Sequence, residues 1–180
     1  MKKSLSLWSF VGFAVTASLG SILHFLYEWT GECVVVAPFS AINESTWEHM
    51  KLLFFPTFLF AIVESFYLAK EHPEFWAVKL KSIALGLLLI PVLFYTYNGI
   101  FGRSPDFVNI LIFIVSDAVL YLYEYQTLKS RKKQKLSQTT SFILLAIISI
   151  LFMVLTFVPP KLPIFADPTE LTIHLDAIVK

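Results

Sequence analysis

Charge is what this sequence has least of: only 15% of its 180 residues are Asp, Glu, Lys or Arg, and whole stretches of spanning length contain none. A water-soluble domain needs a charged surface, so the scarcity argues against one. Cysteine is scarcer still. Cys33 stands alone, which excludes an intrachain disulfide, CxxC redox chemistry and a multi-cysteine zinc site. The basic residues are not interleaved with aromatics, and the formal net charge is +1, so no nucleic-acid surface is expected. Convincing internal repeats and low-complexity tracts are missing as well.

What remains is apolar: 57% hydrophobic and 16% aromatic residues, with a mean hydropathy of +0.72. A helix crosses the roughly 30 Å hydrocarbon layer in about 20 apolar residues at about 1.5 Å each. Five segments meet that length, at about 5–29, 47–69, 82–101, 106–126 and 139–158. The expectation is an all-α integral membrane bundle of about five transmembrane helices, forming a single domain over residues 1–180, with the lipid bilayer as its surroundings. Lys2 and Lys3 before an apolar run, with Val15 and Ala17 at small-residue positions, also fit a cleaved leader. The run continues to Tyr27, however, and that length favours an uncleaved first helix.

Orientation follows from Lys and Arg. With the N-terminus inside, the inner side holds Lys2, Lys3, Lys70, Lys79, Lys81, Lys129, Arg131, Lys132, Lys133 and Lys135, and the outer side holds Lys51, Arg103, Lys161 and Lys180. Cytoplasmic loops retain positive charge, so the N-terminus is expected inside and the C-terminus outside, in a cell membrane. Dropping the two spans that carry acids, Glu64 and Asp117, would move the 129–135 cluster to the other face. Both are therefore kept.

The polar residues gather near one end of the spans. His24 and Glu28 are four apart and share a helix face; Asn43, Glu44, Glu48 and His49 follow just before and within the second span. Carboxylates and imidazoles at one mouth suit a divalent metal: His24, Glu28, Glu44, Glu48 and His49 are expected to converge there, with His24, Glu28, Glu48 and His49 as candidate ligands. The competing reading is structural. Ser45-Thr46-Trp47-Glu48 is a capping box, with Ser45 capping the helix and Glu48 reaching back to its first free amide. HxxxE lacks the ligand-plus-base set of HExxH proteases, so no hydrolytic mechanism follows.

Asp117 stands in mid-span, with ten uncharged residues before it and six after. Ionised and unpaired it would cost several kcal/mol or more, so it is expected to be neutral, to face a wet cavity, or to bond across to Tyr95, Tyr97 or Asn98. Glu64 and Glu124 are expected to pair with Lys70 or the basic loop. Tyr95 to Gly99 suit either the same mouth or an interfacial belt. The proline-rich run from Pro159 to Pro168 cannot continue a helix and suits a fold-back over the mouth.

With Leu23 to Trp29, Asn43-Glu44-Ser45-Thr46-Trp47-Glu48-His49-Met50-Lys51-Leu52, Phe54-Phe55-Pro56 and the proline-rich tail in view, the chain resembles a family of small bacterial multi-pass membrane proteins of unknown function. That resemblance implies a bacterial cell membrane and carries no catalytic residue or cofactor to this sequence. From the residues, the first functional expectation is binding or transport of a cation or small polar molecule through the polar mouth, with Asp117 continuing the path. The alternatives are a membrane-embedded metal-dependent enzyme acting on a lipid-type substrate and an accessory structural subunit, in either case alone, as a homo-oligomer or with a membrane partner. Whether the chain is an enzyme stays open at this stage.

Overall fold

The computed structural model describes residues 2–168. Five helices follow one another: α1 Lys2–Trp29, α2 Thr46–Leu68, α3 Phe75–Phe101, α4 Asp106–Ser130 and α5 Gln138–Phe157. A single 3₁₀ turn at Pro163–Phe165 closes the described chain. All five helices are long and apolar enough to cross a membrane, and no strand occurs among the described residues. Lys180 and the rest of 169–180 lie outside the described residues.

Helices α1 to α4 pack as a closed ring, each on the next and α4 back on α1, and α5 lies outside against α3 and α2. Successive helices run in opposite directions. One end of the bundle therefore carries residues 30–45, 102–105 and 158–168, the loop-rich end, and the other carries 69–74 and 131–137, the basic end. Helix α2 is the most enclosed, with Leu53, Phe54 and Ala61 shut off from solvent. Its Phe54, Phe55 and Phe58 form an aromatic core with Phe152 of α5, Ile83 and Leu87 of α3 and Leu120 of α4. Outward-facing side chains such as Phe10, Phe66, Leu88, Ile110 and Ile150 are exposed and apolar. That is the surface a bilayer requires.

Two glycines let α1 approach α4. A Cβ on Gly12 would stand 2.3 Å from Tyr121 Cε1, and one on Gly20 would stand 2.6 Å from Phe113 and 2.8 Å from the Leu52 carbonyl. Between them Thr16 reaches Tyr121 Oη at 3.0 Å and Thr57 Oγ1 at 3.2 Å, so α1, α2 and α4 meet at one buried hydroxyl cluster. Small residues permit such close backbone approach in lipid, where packing replaces the hydrophobic drive.

Three expectations need correction. Helix α3 begins at Phe75, not near Ser82, because Phe75, Ala77, Val78 and Leu80 are all buried and extend the apolar face toward the basic end. Lys79 is therefore no loop charge; it is fully buried inside α3. Lys51, counted with the outer charges, is likewise buried, within α2. Helix α4 continues to Ser130, past Gln126, and stops at Arg131 in a left-handed conformation.

Candidate functional site

The loop-rich end is organised by the segment between α1 and α2. Gly31 and Glu32, with φ of 65° and 60°, turn the chain out of α1, and the Glu32 amide donates back to the Tyr27 carbonyl at 2.9 Å. Ser40 then returns to the helix. Its hydroxyl donates to the Leu23 carbonyl and accepts from the Tyr27 amide, the two groups that an uninterrupted helix would pair with each other. Both contacts fall on the turn of α1 that carries His24.

Helix α2 starts at Ser45, whose hydroxyl accepts from the Glu48 amide, while the Ser45 amide donates to Asn43 Oδ1 at 2.9 Å. The cap is present; its reciprocal half is not. Glu48 Oε2 accepts from the Ile42 amide at 3.0 Å and pairs with Lys51 Nζ at 2.6 Å. Lys51 also donates to the Ala37 carbonyl at 2.9 Å and to Thr156 Oγ1 at 2.8 Å. With its three protons each on an acceptor, this lysine pins the loop, α2 and α5 together.

The cluster that does come together is His24, Glu44 and His49. One ligand atom from each lies within 4.8 Å of the others. Glu44 stands between the rings, with Oε1 3.8 Å from His24 Nε2 and Oε2 3.5 Å from His49 Nε2. The imidazole centroids are 5.5 Å apart. His49 Nδ1 lies 3.0 Å from the Ser45 carbonyl, so the ring donates there and turns Nε2 toward Glu44, the backbone-anchored arrangement common among metal-binding histidines. Such contacts are loose for hydrogen bonds and leave room for a cation with bonds of about 2.0–2.2 Å after a small closure.

Beside the cluster opens a slot lined by Glu44, Thr46 and His49 on one side and by Ile90, Phe94, Asn109, Ile112 and Phe113 on the other. The tail closes in from outside: Phe165 packs on Trp47 at 4.6 Å between ring centroids, and the Glu44 amide donates to Asp167 Oδ2 at 3.1 Å. Of the residues singled out by sequence, Glu28 is exposed on α1, Asn43 serves the cap, and Glu48 is held by Lys51. None of these three belongs to the ligand group. Glu44 supplies the carboxylate instead.

Deeper in the bundle the structure differs again from expectation. Glu64 and Glu124 do not pair with Lys70 or the basic loop; both hold Lys79, at 2.5 and 2.6 Å. The rings of Tyr121 and Phe75 lie 5.2 and 5.4 Å from the same ammonium. Asp117 makes no bond to Tyr95, Tyr97 or Asn98: among the described residues neither carboxyl oxygen has a hydrogen-bond partner, and the residue is fully buried. Asn98 instead accepts from the Ser104 amide at 2.6 Å. Lys79 is the residue the sequence reading missed. The available signal was the apolar Phe75-Trp76-Ala77-Val78 immediately before it, which carries the spacing of Leu80 and Ile83 one turn back.

Along α4, Asn109, Phe113, Asp117, Tyr121, Glu124 and Leu128 recur at intervals of three or four, which sets them on one helix face. That face runs from the slot at the loop-rich end to the Lys79 cluster near the basic end.

Membrane-spanning helices enclosing charged side chains define a multi-pass membrane protein. The chain belongs to the family of unknown function DUF6512, whose model matches residues 1–172. No curated protein and no solved structure matches it.

Proposed function

We propose that this protein is a cation-binding membrane protein that takes a divalent transition metal at His24, Glu44 and His49 and admits it toward the interior along α4. The observation that carries the reading is the convergence of two imidazoles and one carboxylate, from three separate segments, on a space of ligand dimensions. Two nitrogens and one oxygen suit zinc and its neighbours better than calcium or magnesium, which prefer all-oxygen sets. Three protein ligands leave a position open for water or exchange.

The charge distribution supports an outward-facing mouth. Lys70, Lys129, Arg131, Lys132, Lys133 and Lys135 stand at the basic end, against Arg103 and Lys161 at the loop-rich end, and positive loops are retained in the cytoplasm. The N-terminus is then inside, with the whole chain one domain in the cell membrane.

The test is elemental analysis of the detergent-purified protein beside the variant His24→Ala, Glu44→Gln, His49→Ala. Near-stoichiometric zinc in the parent and little in the variant is the expected result; equal metal in both, or none in either after zinc loading, would refute the site. A second reading draws on the slot, whose Ile90, Phe94, Ile112 and Phe113 offer an apolar wall next to the ligands. On that reading the metal serves hydrolysis of a lipid-type substrate whose chain lies in the slot. Zinc-dependent turnover of a phospholipid by the reconstituted protein, without zinc entering the vesicles, would favour it.

A further inference from the structure

The interior of the bundle holds more negative than positive groups. Glu64, Glu124 and Asp117 are three carboxyl groups, each at most 1% exposed, and Lys79, bonded to the first two, is the cation that joins them among the described residues. The elements packed there add no further charge: α1 brings Thr16, α2 brings Thr57 beside Glu64, and α4 brings Tyr121. The buried residues of α5 are Ser141, Leu145, Phe152 and Thr156. Fully ionised, the group would carry two uncompensated negative charges at membrane depth, where each costs several kcal/mol or more. Something must neutralise them. The Lys79 ammonium already fills the space between Glu64 and Glu124, bonding each, so compensation falls to protons and not to a second metal ion.

Asp117 makes a purely structural role hard to sustain. Both of its oxygens are buried without a hydrogen-bond partner, so it contributes no bond that holds helices together and it lowers stability. Glu64 Oε1 is in the same condition. Between them sits Tyr121, one turn after Asp117 and three residues before Glu124 on the same face of α4. Its hydroxyl bonds Thr16, and Thr16 bonds Thr57, whose own proton goes to the Leu53 carbonyl at 2.7 Å.

We propose that Asp117 and the Glu64–Lys79–Glu124 cluster form an exchangeable proton-binding site in the interior of the bundle, holding two protons at neutral pH. The proposal is independent of the metal at the mouth, and its test reads no metal.

The experiment is infrared absorption of the purified full-length protein at neutral pH, in H₂O and after transfer to D₂O, for the parent chain, Asp117→Asn, Glu64→Gln and Glu124→Gln. Solvent-exposed carboxylates are ionised there and leave the protonated-carboxyl C=O band clear. The parent should show that band, and it should shift in D₂O. Asp117→Asn should remove one carboxyl's share of it, and either glutamine substitution a second share. Absence of the band in the parent overturns the proposal, as does a band that all three variants leave unchanged or one that fails to shift in D₂O. The parent measurements alone decide presence and exchange, so the test survives a variant that does not fold.

Discussion

Two lysines are buried among the described residues, and they live in opposite circumstances. Lys51 meets one carboxylate, Glu48, and places its remaining protons on the Ala37 carbonyl and Thr156; charge balances and every donor is used. Lys79 meets two carboxylates, with a third, Asp117, on the same face of α4 and two aromatic rings beside it. Charge does not balance, and Glu64 Oε1 and both Asp117 oxygens are left without partners. A balanced buried pair can be read as a fastening. An unbalanced one keeps buried charge that its bonds do not offset, and such sites concentrate where a protein binds or moves ions.

Removing the cation from the unbalanced site should give the largest effect. Lys79→Met leaves two carboxyls facing each other in the core and is expected to cost about 3–5 kcal/mol, read as a fall in thermal midpoint in detergent. Adding Glu64→Gln and Glu124→Gln should restore most of that loss. If Lys79→Met alone is as stable as the parent, the charge accounting is wrong.

The balanced site should behave as a removable fastening. Glu48→Gln strands the Lys51 ammonium and should cost about 3 kcal/mol or more, whereas Glu48→Leu with Lys51→Met should return to within roughly 1–2 kcal/mol of the parent. Metal content should persist in the double variant, because His24, Glu44 and His49 are untouched. Loss of metal there would blur the distinction between the two lysines.

Smaller effects sharpen the contrast. Gly12→Ala forces a methyl against the Tyr121 ring and should cost about 1–3 kcal/mol. Tyr121→Phe removes the hydroxyl bonded to Thr16 and should cost about 1 kcal/mol. Asp117→Asn should leave the stability within about 1 kcal/mol of the parent, read from the thermal midpoint, since the carboxyl it replaces makes no bond among the described residues.

The membrane-spanning architecture was legible because it rests on local composition: a 20-residue window without charge is visible without knowing its neighbours. For the same reason the start of α3 was not. Lys79 and Lys81 break such a window, and only Glu64 and Glu124, 15 and 45 positions away, explain how Lys79 can be buried. At the mouth, the sequence names His24, Glu28, Glu44, Glu48 and His49, and the structure brings three of them, His24, Glu44 and His49, within 4.8 Å of one another. His24 and Glu28 share a helix face, but Glu28 is exposed while Glu44, from a loop, reaches both imidazoles. Loop geometry has no periodicity to read. Glu48 was assigned to a capping box or a metal because both fit its place three residues after Ser45. Its partner, Lys51, lies one turn onward, where the charge count places it with the outer side.

Asp117 was the residue that sequence marked most clearly, by its isolation in an uncharged run, and the structure preserves that isolation. The central claim is that the acid-rich interior is functional and the balanced lysine structural, so the measurement to make is zinc entry into vesicles containing the purified protein, comparing Asp117→Asn with the Glu48→Leu, Lys51→Met variant. The account predicts parent-like entry in the double variant and at least a tenfold loss in Asp117→Asn, with its thermal midpoint and bound zinc unchanged. Undiminished entry in Asp117→Asn would contradict it.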